Sequence, residues 1–252
     1  MTRFPRHNLF VLALATFAGT ATLADDPLPR NQLRHIVQEQ CLPAWSTDHS
    51  PGPCERLTPP DRMDVDDGYA VLHDRKGGIH FLLIPTARIT GIEDPALLSG
   101  HLPNYFDAAW RNRDILDRQA GASLRRDQIG FAVNHVSARS QDQLHIHMSC
   151  IRPDLTARLT ADADTFDDHW QPWSFEDRSY AVRRVNGESL GTADPFRLLH
   201  ELLSYRHAEA GSHTLLVAGL TYATTPGFVL VAGTNVPGAE RLLDSRCTSA
   251  QG

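Results

Sequence analysis

Two histidines stand two residues apart within the run Ser140–Cys150, at His145 and His147. Polar and apolar residues alternate along this run, which is typical of a β-strand. Successive side chains of a strand point to opposite faces, so both histidines share one face with Gln143 and Ser149. A face that carries two ring bases, an amide and a hydroxyl is suited to acid–base or nucleophilic chemistry, and we interpret it as a catalytic surface.

Neutral imidazole attacks phosphorus near pH 7, because its usual pKa of about 6.5 leaves much of it unprotonated. The attacking nitrogen is free when the other ring nitrogen keeps its proton, typically against a backbone carbonyl. A metal site built from His145, His147 and Cys150 is disfavoured, since Cys150 has the opposite strand parity. We therefore expect neither metal nor cofactor, with a zinc protein that uses His145 and His147 as the less favoured alternative.

The chain has the composition of a compact globular protein. Two arginines precede an apolar run from Leu9 to about Ala24, which is typical of a bacterial export signal. Cleavage of this segment after export is favoured over its retention as an N-terminal membrane anchor, because the apolar run is short for a membrane-spanning helix. We expect residues 1–24 to be the targeting segment and residues 25–252 to form one domain, in the periplasm or on the periplasmic face of the inner membrane.

The formal net charge is −6 at pH 7, and loss of the targeting segment removes two arginines and no acid. An acidic chain is poorly suited to general nucleic-acid binding and has no polybasic stripe for anionic headgroups. We expect no nucleic-acid partner, and a lipid partner would need a specific pocket.

The four cysteines form an even set, and exported proteins keep disulfides. Two bridges are expected, and four cysteines allow three pairings. We favour Cys41 with Cys54 across a loop rich in proline and serine, which leaves Cys150 for Cys247. The second bridge would fasten the end of the histidine strand.

Hydrophobic periodicity predicts an α+β domain with an antiparallel sheet and helices packed on it. Through residue 155 the order is hairpin, helix, hairpin, and a similar order follows a loop with Trp170 and Trp173. The second half is expected to be a degenerate repeat that completes the sheet or shapes the cleft. The predicted helices are 30–40, 103–120 and 195–203, the predicted loop is 41–67, and the predicted strands are 69–73, 79–84, 128–134, 143–151, 180–185, 213–220 and 227–232.

The histidine row resembles the signature of the histidine-triad (HIT) superfamily, in which three histidines alternate with apolar residues and a serine or threonine precedes the first by three positions. Ser140 fits that offset. Gln143 then replaces the first histidine, His145 is central and His147 is third. The run His80–Pro85 looks like the strand of that family that ends in Ile-Pro. The resemblance implies a HIT-like sheet and a nucleophilic central histidine.

Within that superfamily the sequence is most similar to the bacterial CDP-diacylglycerol pyrophosphatases over most of the mature chain. The shared landmarks are Glu39–Pro43, Pro53-Cys54, Pro103–Phe106, Ala109-Trp110, His145–Asp154 and Cys247. The resemblance implies a phosphoric anhydride hydrolase of phospholipid metabolism that converts CDP-diacylglycerol to CMP and phosphatidate through a covalent nucleotidyl-histidine intermediate.

Gln143 is the departure from the HIT signature. We hypothesise that glutamine suffices there because the leaving phosphate monoester is a weak base and needs little general-acid help. A register slipped by two would make His147 central and Ser149 third, but Ser140 would then be misplaced.

Supporting contacts to the substrate are expected from His147 as a donor and from neighbouring polar side chains. Arg139 and Arg152 could instead form surface ion pairs. Ser140 could instead occupy a turn position before the strand. The candidate substrate-binding residues are Gln143, Ser140, Ser149, Asn134, Arg139 and Arg152. Histidines outside the row, including His80, are interpreted as scattered.

Three alternatives remain beside this function: a hydrolase or nucleotidylyltransferase of a soluble nucleotide, the zinc protein, and a nonenzymatic binding module. CDP-diacylglycerol is the expected partner, and with it a membrane surface. A homodimer is compatible with the family resemblance.

Overall fold

The structure is a computed structural model that describes Met1 and residues 29–59, 67–206 and 209–248. Apart from Met1, the predicted targeting segment lies outside the described residues. Within the described part, no helix has the length and apolar character needed to span a bilayer.

Six α-helices and ten β-strands make up the described chain. The helices are α1 Gln32–Ile36, α2 Leu42–Asp48, α3 Tyr105–Arg111, α4 Asp114–Ala120, α5 Pro153–Asp162 and α6 Pro195–Arg206. The strands are β1 Arg56–Thr58, β2 Tyr69–His73, β3 His80–Pro85, β4 Ile129–Val133, β5 Ile146–Ile151, β6 Gln171–Phe175, β7 Arg178–Asn186, β8 His213–Tyr222, β9 Thr225–Thr234 and β10 Leu243–Asp244.

The strands form one antiparallel sheet in the order β1-β2-β3-β5-β4-β8-β9-β7-β6, and β10 pairs with the end of β5. The two halves of the chain have the same internal order, β2-β3-β5-β4 and β6-β7-β9-β8, and they meet where β4 pairs with β8. The α+β prediction is confirmed. In this arrangement β9 takes the place of β5, and β9 carries no histidine.

Buried side chains cover both faces of the sheet. One face packs under α3, α4 and α6, where Phe106, Trp110 and Phe131 are almost fully buried, as expected for core residues. The other face packs against α5 and an aromatic cluster around Trp173. Because β5 lies inside the sheet between β3 and β4, its residues are shielded from water on both faces.

Three predicted boundaries were wrong. The segment from residue 41, predicted as a loop, is helical to Asp48, because a π-helical turn at Val37–Cys41 joins α1 to α2. Pro43 therefore lies in the first turn of α2, where its missing N–H costs little. The helix expected over 103–120 is two helices. The loop with Trp173 contains strand β6, in which the tryptophan packs against Phe166 and Phe175.

Both favoured disulfides are present. Cys41 is bonded to Cys54, and Cys150 is bonded to Cys247 across 97 residues of chain. The second bridge fastens the segment after β10 to β5, the strand that carries His147.

Candidate active site

His145 lies just before β5, in an irregular segment rather than in the strand predicted from residue 143. The segment leaves the sheet pattern because the N–H of Leu144 donates to the carbonyl of Ile89, 2.7 Å away. The ring Nδ1 of His145 is 2.8 Å from the backbone oxygen of Gln143. A carbonyl can only accept, so Nδ1 carries the proton and Nε2 keeps its lone pair. Among the described residues, Nε2 has no hydrogen-bond partner.

Burial sets the charge of this ring. His145 is 8% exposed, and removal from water lowers its pKa from 6.5 to about 4, with a smaller contribution from the adjacent His147. The rings of the two histidines are 4.9 Å apart, centre to centre. At neutral pH, His145 is therefore an uncharged base whose free nitrogen is fixed by its own backbone.

His147 is held at both ring nitrogens. Its Nδ1 is 3.0 Å from Nε2 of His80, and its Nε2 is 3.0 Å from a carboxylate oxygen of Glu240. On the far side of His80, its Nδ1 lies 3.7 Å from Asp74. The chain of contacts therefore runs acid, imidazole, imidazole, acid, through Asp74, His80, His147 and Glu240. Both ring nitrogens of His147 are occupied by these contacts.

Glu240 connects this line of side chains to a short helix that follows β9. It belongs to a short 3₁₀ helix, Ala239–Leu242, which follows the second half of the sheet. The amide of Asn134 donates to the Glu240 carboxylate at 3.0 Å, and the N–H of Glu240 donates back to the amide oxygen at 3.1 Å. The hydrogen bond from His147 holds the pKa of Glu240 well below its usual range, so the carboxylate is ionised.

Gln143 is buried and its amide is committed to the backbone. The NH₂ group donates to the carbonyls of Pro85 and Ala87 at 3.1 and 2.9 Å, which fixes the orientation of the amide. Its oxygen is buried and has no hydrogen-bond partner among the residues that the structure describes. The side chain thus secures the backbone that holds His145, and its free group is an acceptor rather than a donor.

The other predicted binding residues are not gathered around the histidines. The hydroxyl of Ser149 donates to the Ile79 carbonyl at 2.6 Å, and Ser140 is exposed in the loop before β5. Arg139 binds Glu93 and Asp142, and Arg152, past the far end of β5, binds Asp154 and Glu176. Ion pairing was the competing interpretation for both arginines, and these contacts agree with it. Of the six candidates, Gln143 and Asn134 lie beside His145 or His147.

Cys150 cannot ligate a metal while it is bonded to Cys247. Among the described residues, two groups of side chains could hold a metal ion: the exposed Asp167, Asp168 and His169, and, at the candidate site, Asp74, His80 and His147, whose potential ligand atoms lie within 4.8 Å of one another. His80 and His147 stand at hydrogen-bond distance, so metal binding would replace the bond between them.

Sequence interpretation missed Asp74, His80 and Glu240. His80 had a detectable signal, because it begins the run that ends at Pro85 and resembles the strand before the histidine row. Strand pairing places His80 opposite Ser149 and Leu82 opposite His147, so His80 and His147 are diagonal neighbours on one face.

The buried histidines predict a pH dependence of stability. Burial lowers the pKa of His80 and of His145 to about 4, whereas both titrate near 6.5 in the unfolded chain. The unfolded state then binds more protons, and the free energy of unfolding falls as pH drops from about 6.5 towards 4, by at most about 1.4 kcal/mol per histidine and pH unit. Urea unfolding at pH 7 and pH 5 measures this.

In His145→Asn the loss of stability between these pH values should be smaller than in the wild type. His35→Asn, at an exposed position, is the matched control and should keep the wild-type dependence. An unchanged dependence in His145→Asn would contradict the assignment of a neutral, buried His145.

The fold and the site together define an α+β protein with a backbone-oriented histidine beside a buried histidine–carboxylate pair. The model of the family described as CDP-diacylglycerol pyrophosphatase matches residues 28–251. A curated relative, the CDP-diacylglycerol pyrophosphatase of Yersinia pestis, is 36% identical over 187 residues, which cover 73% of this chain and 70% of the relative.

The chain belongs to the CDP-diacylglycerol pyrophosphatase family. The predicted enzyme class, a hydrolase of a phosphoric anhydride bond, is confirmed with it. Membership of the HIT superfamily stays a prediction.

Proposed function

We propose that this protein hydrolyses the diphosphate bond of CDP-diacylglycerol to CMP and phosphatidate, with His145 as the nucleophile. The family and the named activity of the Yersinia pestis relative support the substrate. The observation that carries the mechanism is the hydrogen bond between His145 Nδ1 and the Gln143 carbonyl, which leaves Nε2 free to attack.

In the first step, Nε2 of His145 attacks the cytidylyl phosphorus. A bond forms between this nitrogen and phosphorus, the bond from phosphorus to the bridging oxygen breaks, and phosphatidate leaves with the electron pair. The leaving group is a phosphate monoester, a weak base, so it departs without a proton. CMP is then held on His145 as a phosphoramidate.

In the second step, water attacks the same phosphorus. The bond to Nε2 breaks, its electron pair returns to the ring, CMP is released and the surplus proton of water passes to solvent. Two smaller barriers replace one larger barrier, which is the general advantage of a covalent intermediate. Because His145 ends as it began, the cycle is closed.

His147 is a poor candidate for the nucleophile, because both of its nitrogens are occupied by His80 and Glu240. Its role in the proposal is electrostatic: an imidazole backed by an ionised carboxylate accommodates positive charge beside the charge that develops on the diphosphate. This assignment agrees with the register that makes His145 central.

Export is part of the proposal. The two disulfides support an oxidising compartment such as the periplasm, and the lipid substrate implies work at a membrane surface. A homodimer stays a prediction.

Hydrolysis in water enriched in oxygen-18 tests the proposal. Attack at the cytidylyl phosphorus predicts one heavy oxygen in CMP and none in phosphatidate, by mass spectrometry, at a rate that a chelator does not change. Label in phosphatidate would move the attack to the other phosphorus. Turnover of soluble nucleotides without turnover of CDP-diacylglycerol would favour the alternative substrate class, and loss of activity with chelator would favour a metal at Asp74, His80 and His147.

Gln143→Ala is expected to lower the free energy of unfolding by about 2 kcal/mol, because two buried carbonyls lose their donor. Turnover should fall as well, since the backbone that holds His145 loosens. Urea unfolding and initial rates measure both effects. Gln143→His tests the hypothesis that glutamine suffices at this position, and a hundredfold gain in turnover would show that hypothesis to be wrong.

A further inference from the structure

Arg34 carries a charge that no side chain of the described protein neutralises. Its Nη1 atom is buried and has no hydrogen-bond partner, and no ion pair joins its guanidinium to a carboxylate of the described chain. Arg139 and Arg152, by contrast, are each paired with two acids. Because an unpaired charge is costly to remove from water, a cation in this state indicates an anionic ligand.

The helix that carries Arg34 lies on the same face of the sheet as the histidines. Leu33, its neighbour in α1, belongs to the same buried cluster as Leu82 of β3. Leu82 pairs with His147 across β3 and β5, and residues paired across two strands point to the same face. Arg34 therefore approaches the sheet from the side on which the candidate active site lies.

Hydrogen bonds on either side of Arg34 hold its helix beside the segment that carries the candidate nucleophile. One residue earlier, the N–H of Leu33 donates to the side-chain oxygen of Gln141 at 3.0 Å. Four residues later, in the π-helical turn, the amide of Gln38 donates to the carbonyl of Thr86 at 2.6 Å. Arg34 thus stands between the segment that leads into β5 and the segment that follows β3.

Thr86 and Gln143 add polar atoms that lack partners among the described residues. Thr86 is 2% exposed, and its hydroxyl makes no hydrogen bond there. The amide nitrogen of Gln143 bonds the carbonyls of Pro85 and Ala87, the residues on both sides of that threonine. The free oxygen of the same amide therefore lies beside Thr86. Polar groups buried without partners are unfavourable, and three of them on adjoining elements indicate a ligand that supplies the partners.

The chemistry of these groups matches the head of a nucleotide diphosphate. A guanidinium and a hydroxyl both donate to nonbridging phosphate oxygens, and the guanidinium can do so through two parallel N–H groups. The amide oxygen of Gln143 can only accept, so it suits a hydroxyl of the ribose rather than a phosphate. The diphosphate supplies the negative charge that the protein does not place beside Arg34.

We propose that Arg34 and Thr86 bind the diphosphate of CDP-diacylglycerol beside His145. The inference rests on the function proposed above and adds to it the cation that holds the substrate for attack. Arg34 is then present for the ligand rather than for the fold. Loss of its charge should therefore lower activity without lowering stability, whereas loss of a structural arginine lowers both.

Arg34→Met tests the proposal, because methionine keeps much of the apolar stem and removes the charge. We expect kcat/KM for CDP-diacylglycerol in mixed micelles to fall at least about thirtyfold, since a charge-assisted contact to phosphate is lost. The melting temperature should stay the same or rise, because an unpaired charge is removed. Arg34→Lys keeps a charge without the planar fork and should be at least about fivefold more active than Arg34→Met.

Inhibition by CDP isolates the head group, because CDP has the diphosphate and no lipid. Its inhibition constant should rise at least about tenfold in Arg34→Met. Thr86→Val has nearly the same shape and should lower kcat/KM about fivefold at an unchanged melting temperature, because the hydroxyl has no partner in the described protein to lose. Arg118→Met, on α4 at the opposite face of the sheet, is the matched control and should leave all these quantities unchanged.

A lower melting temperature in Arg34→Met, or a kcat/KM within about threefold of the wild type, would overturn Arg34 as a ligand-binding residue. Equal activities of Arg34→Met and Arg34→Lys, or inhibition by CDP that is absent or equal in wild type and Arg34→Met, would overturn it too. Each of these results leaves the proposed function intact. Failure of the wild type to hydrolyse CDP-diacylglycerol would overturn the proposed function itself.

Discussion

His145→Ala is expected to lower kcat for CDP-diacylglycerol by at least about 10⁴-fold, because it removes the atom to which the nucleotide is transferred. The same variant should fail to acquire label when the wild type, given substrate labelled in the CMP phosphorus, forms an acid-labile phosphoramidate. Quenched-flow sampling, gel filtration in denaturant and treatment with acid measure the label directly.

His35→Ala is the matched control for this experiment, since it removes an exposed histidine and should leave rate and label unchanged. The melting temperature is compared as well, because His145 is buried and its truncation to alanine removes packing contacts. Label that persists in His145→Ala but disappears in His147→Ala would assign the nucleophile to His147 and favour the slipped register.

The position of His145 could be predicted because it follows from local rules. Alternation predicts that side chains two residues apart share one face, and the rings of His145 and His147 are 4.9 Å apart even though Gln143 and His145 lie in the irregular segment before β5. The backbone acceptor for Nδ1 was expected on chemical grounds, and the Gln143 carbonyl, two residues before the ring, provides it. The disulfide pairing followed because Cys41 and Cys54 are close in the chain.

Glu240 could not be predicted in this way, because the position of its carboxylate is a property of the whole sheet. It lies 106 residues after Asn134, beyond the second half of the chain, and the surrounding sequence has no catalytic signature. It reaches the site because β4 pairs with β8 and the chain returns past β9 to pair with the end of β5.

The same topology explains the second half of the protein. Its strands repeat the order of the first half but carry no histidine in β9, so repetition of catalytic residues is not its role. It shields one side of β4, contributes α6 to the core on one face of the sheet and delivers Glu240 to His147. The expected completion of the sheet by the second half agrees with this arrangement, and its shaping of the substrate cleft stays a prediction.

Glu240→Gln is expected to lower kcat by about 10²-fold and to change KM less than about threefold, because the carboxylate acts on charge that develops during reaction rather than on substrate binding. The glutamine keeps the shape of the side chain, and the N–H of residue 240 can still donate to Asn134. What is lost is the negative charge 3.0 Å from His147 Nε2. Steady-state kinetics with the lipid substrate measure the separation of kcat from KM.

Lys76→Met is the control for this charge effect. Lys76 bonds the other oxygen of the same carboxylate at 3.2 Å, but it is largely exposed, and exposed pairs contribute little. We expect its kcat to stay within about threefold of the wild type. Nitrogen-15 NMR of the histidine rings adds a readout that a packing defect would not mimic, since Glu240→Gln should shift the resonances of His147 while those of the exposed His35 remain. Equal changes in kcat and KM, with unshifted His147 resonances, would reduce Glu240 to a structural contact between the two halves.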